Sequence, residues 1–165
     1  MEGSSLALYI HWPFCKIKCP YCDFNSYKRE NTNESHWLKA YLRALELWYL
    51  RLAKREIKSI FFGGGTPSLL DPDFVGMVLQ KIDSLWSING NCEITIEANP
   101  NSVSESKFKI FREIGINRVS VGVQALNNKD LSNLGRDHNK NQAIEAIEVI
   151  NAWFKNYNLD FIYGR

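Results

Sequence analysis

The chain lacks any apolar run approaching the ~20 residues that cross a bilayer. Its longest candidate, residues 40–53, is broken by Arg43, Glu46 and Arg51. It also lacks an excess of either charge: 20 Lys and Arg against 18 Asp and Glu leave a formal net charge of +2. That is too little for a dedicated nucleic-acid binder or a polybasic membrane surface. The opening MEGSSLALYIHW has neither the basic segment nor the long apolar stretch of a secretory signal. There are no low-complexity segments and no short solenoid repeats. These absences set the expectation of a cytoplasmic protein with no nucleic-acid partner and no membrane span. What is present is 165 residues of which 45% are apolar, enough for one domain with a true core and too many for a disordered chain.

Cysteine is scarce but unevenly placed. Of four, Cys15, Cys19 and Cys22 crowd one short segment while Cys92 stands apart. An odd-numbered cluster without an export signal is a poor disulfide framework and points to a metal or cofactor site.

Residues 6–10, 57–62, 93–97, 118–123 and 158–163 read as short strands. Between them, the spacing of Trp37, Tyr41, Leu45, Trp48 and Leu52 predicts a helix over 35–55, with Trp37, Tyr41, Trp48 and Tyr49 in the core. Further helices are expected over 72–86, 105–114 (capped by Ser104, stopped at Gly115), 128–134 and 141–154. Residues 28–34 read as a surface loop. Alternating strand and helix predict an α/β fold with a parallel sheet and right-handed crossovers. The unusual residues all fall at the C-terminal ends of the proposed strands, the edge where parallel α/β proteins bind ligands.

The segment Cys15-Lys-Ile-Lys-Cys19-Pro-Tyr-Cys22 has the spacing C-x3-C-x2-C. Thiolates at such spacing hold iron–sulfur clusters or zinc. Three ligands, where a structural [4Fe–4S] cluster has four, leave one iron open to a substrate or cofactor. Lys16 and Lys18 favour thiolate over thiol. A structural zinc site completed by His11 or Cys92 is the alternative; Cys92 by itself reads as a small core hydrophobe. Gly63-Gly64-Gly65-Thr66-Pro67 is neither a phosphate loop nor a dinucleotide fingerprint, and by itself reads as a tight turn. Glu97 ends an apolar strand, ready either to accept hydrogen bonds from a ligand or to pair with Arg118. Gln124 suits a ligand or a loop, Arg136 reads as a surface residue, and Asp160 as an inward-facing polar group on a strand. His11, His36 and His138 form no spaced metal set, and His36 falls at a helix start.

Together, the cysteine loop after strand one and the glycine turn after strand two resemble the signature of the radical S-adenosylmethionine enzymes. The segments Leu8–Cys15, Phe62–Ser68, Ile96–Pro100, Arg118–Gln124, Leu134–His138 and Asp160–Gly164 narrow the resemblance to the oxygen-independent coproporphyrinogen III oxidase family. The oxidases of that family carry a further cysteine two residues beyond the third ligand. Phe24 stands there, in Cys22-Asp-Phe-Asn, which is similar to the family's haem chaperone branch.

The resemblance implies a partial (β/α) TIM-like barrel. It implies that Cys15, Cys19 and Cys22 ligate a [4Fe–4S] cluster whose open iron is chelated by S-adenosylmethionine. Gly64, Gly65 and Thr66 would line the methionine end of that cofactor, and Glu97 would bind its ribose. Tyr9, Tyr21, Gln124, Arg136 and Asp160 match further cofactor-site positions. No residue is assigned a catalytic role. Expected partners are haem or a porphyrin, a haem-acceptor protein and an electron donor. The family motif continues beyond Tyr-Gly, so residues 1–165 are expected to form an incomplete radical core lacking a sixth strand and a C-terminal domain. A second chain is then a candidate source of the missing part. An exposed edge on strand five predicts low stability for the isolated chain. Porphyrin oxidation and a non-functional fragment are the competing readings.

Overall fold

Five short segments, two of them apolar runs and three alternating, form a five-stranded sheet in which every pairing is parallel. A computed structural model describes residues 5–53 and 55–164. The signal-segment reading therefore lies partly outside the described residues, as do Lys54 of the expected first helix and Arg165. The strands are β1 (Leu6–Trp12), β4 (Ile57–Gly64), β5 (Glu93–Ala98), β6 (Arg118–Gln124) and β7 (Asn156–Phe161), in the spatial order β1-β4-β5-β6-β7. A two-stranded parallel pair, β2 (Phe14–Cys15) and β3 (Tyr27–Lys28), closes the base of the cysteine loop. The helices α1 (Glu34–Leu52), α2 (Pro72–Trp86), α3 (Glu105–Glu113), α4 (Asn128–Asn133) and α5 (Lys140–Trp153) form the connections. The α/β expectation holds.

Local chemistry sets the boundaries. Asn33 caps α1 by accepting from the N–H groups of Ser35 and His36, which places His36 in the first turn. Asp71 caps α2, with Pro72 at its first position. At the end of α3, the N–H of Gly115 bonds the carbonyl of Arg112 and that of Ile116 bonds the carbonyl of Phe111, a Schellman closure. Ser104 occupies the N-cap but makes no side-chain capping bond.

Four expectations need correction. Helix α1 stops at Leu52 because Ala53 turns extended, so Arg55 lies outside it. The last strand runs from 156 to 161 rather than 158 to 163, because Asn156, Tyr157 and Asn158 pair with Arg118, Val119 and Ser120. Trp48 is 53% exposed rather than part of the core. Tyr27 and Lys28 form a strand at the edge of the expected surface loop.

The register separates two faces. Ile60, Phe62, Ile96, Val119, Val121 and Val123 share one and are fully buried beneath helices. Burying such side chains stabilises the domain by about 1.5–3 kcal/mol each. Glu93, Thr95 and Glu97, Arg118 and Ser120, and Asn156, Asn158 and Asp160 share the other. Among the described residues, no helix is long and apolar enough to cross a membrane.

Candidate functional site

The C-terminal ends of the strands surround a cavity of about 510 Å³, within the usual range for small-molecule sites. One wall is the cysteine loop, with Cys15, Cys19, Tyr21 and Cys22; Gly64, Gly65 and Thr66 form a second. Glu97, Gln124, Arg136 and Asp160 come from successive strands and the α4–α5 connection. Of the residues singled out in the sequence, Tyr9 does not line the cavity. It lies one strand away against His11 and Phe61, each with ring centroids 5.9 Å from its own.

The glycine turn serves packing as well as the cavity. Gly64 has φ +110°, and a Cβ there would fall 2.5 Å from the His11 ring. A Cβ on Gly65 would fall 2.7 Å from the Phe14 backbone. Only glycine lets β4 pass this close to the chain that carries Cys15. Trp12 and Phe14 carbonyls then accept from Gly65 and Thr66, tying the turn to the cysteine loop.

Glu97 does not pair with Arg118. Strand register sets Glu97 beside Ser120, and sets Arg118 beside Thr95, where it reaches Glu93 at 3.8 Å, Thr95 and Asn158. Glu97 instead accepts from the Gly64 N–H at 2.9 Å. Burial raises its carboxyl above the usual carboxylate range; the Gly64 bond opposes that, and nearby Asp160 adds to it. Tyr9 is raised by burial and by the Glu97 charge. Asp160 accepts from Ser120 at 3.1 Å and from Asn158 at 2.9 Å.

Arg136 reads as a surface residue in the sequence but its guanidinium turns inward. Nη2 donates to Asn99 Oδ1 at 2.7 Å and to the Gly122 carbonyl at 2.8 Å. Nη1 donates to Cys19 Sγ at 3.5 Å and to the Tyr21 hydroxyl at 3.2 Å. Its Nε is buried without a partner. The neighbouring residues act with it: a Cβ on Gly135 would meet Pro20 at 2.6 Å, Asp137 faces Lys16 at 4.0 Å, and buried His138 faces the Val123 carbonyl. Burial, then the Arg136 charge, lowers the His138 pKa. The sequence LGRDH therefore clamps the cysteine loop to the sheet. Gln124 ends β6 at φ +67°, a strained backbone for this residue type and of the kind that clusters at functional sites.

Asn99 and Gly122 are among the cavity residues that carried no role in the sequence reading. Asn99 joins Arg136 to Thr66 Oγ1, 3.0 Å from its Nδ2. Gly122 leaves the room that this junction needs, since a Cβ there would fall 2.9 Å from the Gln124 amide. The Asn-Pro pair after β5 was the available signal for the first.

All four cysteines are free. Cys92 is buried at the N-terminal end of β5, the opposite edge from the cavity, and His11 is engaged with Asn25 and Tyr9. Neither completes a zinc site with the loop. Among the described residues no three His, Cys, Asp or Glu side chains are grouped for a single metal ion. In a four-iron cluster each thiolate binds a different iron, so its sulfurs stand apart rather than converge. Three free thiols lining one cavity, together with a carboxylate and a guanidinium, fit that donor set.

Residues 9–164 match the radical SAM superfamily. The chain is 42% identical over 160 residues to the haem chaperone HemW of Buchnera aphidicola, covering 96% of this chain and 43% of that protein. It is 39% identical over 165 residues to HemW of Haemophilus influenzae, with the same coverages. The solved structure of coproporphyrinogen III oxidase (HemN) from Escherichia coli superposes with a TM-score of 0.82 at 28% identity, covering 97% of this chain and 37% of that one. The sheet is thus part of a TIM-like (β/α) barrel. The chain spans less than half the length of these relatives.

Proposed function

The chain belongs to the radical SAM superfamily, which implies a [4Fe–4S] cluster and S-adenosylmethionine, and from that premise we propose that it is the cofactor-binding domain of a haem chaperone-like protein. Cys15, Cys19 and Cys22 hold the cluster and leave one iron open. The Gly64–Thr66 turn takes the methionine end of S-adenosylmethionine, and Glu97 takes its ribose. Tyr21, Gln124, Arg136 and Asp160 complete the pocket, with Tyr9 behind Glu97. When bound, the cluster supplies the electron that cleaves the sulfonium. The protein's own groups bind, orient and exclude water.

The observation that carries this reading is the single cavity in which the three cysteines, the glycine turn, Glu97, Arg136 and Asp160 meet. Haem or a porphyrin is the proposed cargo, with an acceptor protein and an electron donor as partners, in the cytoplasm. Residues 1–165 form the radical core, and a sixth strand and C-terminal domain, from the same or a second chain, complete it.

Anaerobic reconstitution with iron and sulfide tests the proposal. About four irons per chain, with a reduced-cluster spectrum altered by S-adenosylmethionine, is the expected result. Zinc, or no stable cluster, overturns it. Similarity to the coproporphyrinogen oxidase structure supports a second reading, oxidative decarboxylation of porphyrinogen propionates. Phe24, where the oxidases carry a further cysteine, disfavours it, and a decarboxylation assay decides between the two.

A further inference from the structure

The cysteine loop is bent by contacts within its own chain. At its base, the N–H of Tyr27 bonds the Pro13 carbonyl at 2.7 Å and that of Arg29 bonds the Cys15 carbonyl at 2.8 Å. That ladder fixes Cys15 but does not reach Cys19 or Cys22. Between them, the Cys22 N–H bonds the Cys19 carbonyl at 3.1 Å, a single turn. A second closure comes from a side chain. Lys18 Nζ donates to the Phe24 carbonyl at 2.6 Å, to Ser26 Oγ at 2.8 Å and toward Cys22 Sγ at 3.9 Å.

An ammonium has three donors and no acceptor. Two here are directed at atoms that follow the last cysteine and the third at that cysteine's own sulfur. One of those acceptors, Ser26, is itself only 6% exposed. Lys16, two residues earlier, differs in every respect. Its side chain is 64% exposed, and its ion pair with Asp137 stands at 4.0 Å.

We propose that Lys18 is a positioning residue of the cysteine loop, folding the segment after Cys22 back onto the segment before Cys19 and setting a fixed positive charge beside the Cys22 sulfur. The inference rests on the cluster reading above and deepens it. Groups that bond or charge the sulfur ligands set a cluster's retention and its reduction potential. A cation beside a ligating sulfur favours the reduced, more negative cluster. Its removal therefore moves the midpoint potential to more negative values.

The test compares Lys18→Met with Lys16→Met, each removing one charge from the same loop. In the reconstituted protein, K18M is expected to lose cluster to a chelator about tenfold faster, the usual cost of an outer partner of a metal ligand. Its midpoint potential, from a mediated titration, is expected to fall below that of the unsubstituted chain. K16M, which loses only an exposed contact at 4.0 Å, is expected to change both by less than K18M does. Hydrogen exchange on the metal-free proteins gives a reading that needs no iron: amides 22–26 should exchange faster in K18M alone. Unchanged retention, potential and exchange in K18M overturn the proposal, as does an equal effect of K16M. Failure of the unsubstituted chain to take up iron overturns the cluster reading instead, while the exchange comparison still decides the brace.

Discussion

On one face of the sheet, Ile60, Phe62, Ile96, Val119 and Val121 are sealed from solvent at 0% exposure. On the other, Arg118 links Thr95 to Asn158, Asn158 donates to Ser120, and both Ser120 and Asn158 donate to Asp160. Parallel sheets are usually apolar on both sides because helices cover both. Here the helices cover one, and the other carries a polar ladder that leads up to the cavity. The same strands therefore supply stability through alternate residues and the site through the rest.

Substitutions can break that division. Phe62→Ala removes a fully buried ring from the apolar face and is expected to cost about 3–5 kcal/mol in denaturant unfolding. Gly64→Ala, at the junction of the two faces, forces φ +110° on a side chain that would collide with His11. It is expected to cost about 1–3 kcal/mol in the same measurement. Glu97→Gln belongs to the polar side and should weaken S-adenosylmethionine binding about tenfold by calorimetry, the loss of a bond to a charged acceptor.

Stability should respond to Glu97 in the opposite sense. Its folded pKa lies above its unfolded one, so its contribution is complete at low pH and is lost as pH rises through the folded value. Glu97→Gln is therefore expected to be at least as stable as the unsubstituted chain at neutral pH and to flatten the pH dependence of unfolding. A clear destabilisation at neutral pH would place Glu97 among the stabilising groups and dissolve the contrast. The smallest effect is expected from Asn158→Ala, about 1 kcal/mol or less, because its bonds lie on the half-open side.

The apolar face was the legible one. Short apolar runs, alternation and 3–4 spacing located the main strands and helices, because burial imposes these patterns on neighbours in sequence. The last strand was misplaced by two residues for a reason found on the polar face. Asn156 looks like a loop residue until Arg118 stands beside it. Arg136 was misread for the same reason: the groups that draw it inward, Asn99 and the Gly122 carbonyl, come from other strands. Glu97 was offered Arg118 as a partner, and a two-residue difference in register gave it Ser120 instead. Trp48 followed the helical spacing, yet it stays half-exposed, with the Arg51 guanidinium of its own helix 5.7 Å from the ring centroid.

The clamp between Arg136 and Cys19 spans 117 residues of chain. A ribosome delivers the thiols first. At roughly 5–20 residues per second, the guanidinium emerges on the order of 6 to 20 seconds later. The contact between Lys18 and Ser26 spans only eight residues, so it needs no such interval. The local contact thus needs only its own segment of chain, whereas the clamp waits until β6 and the residues after it have been made.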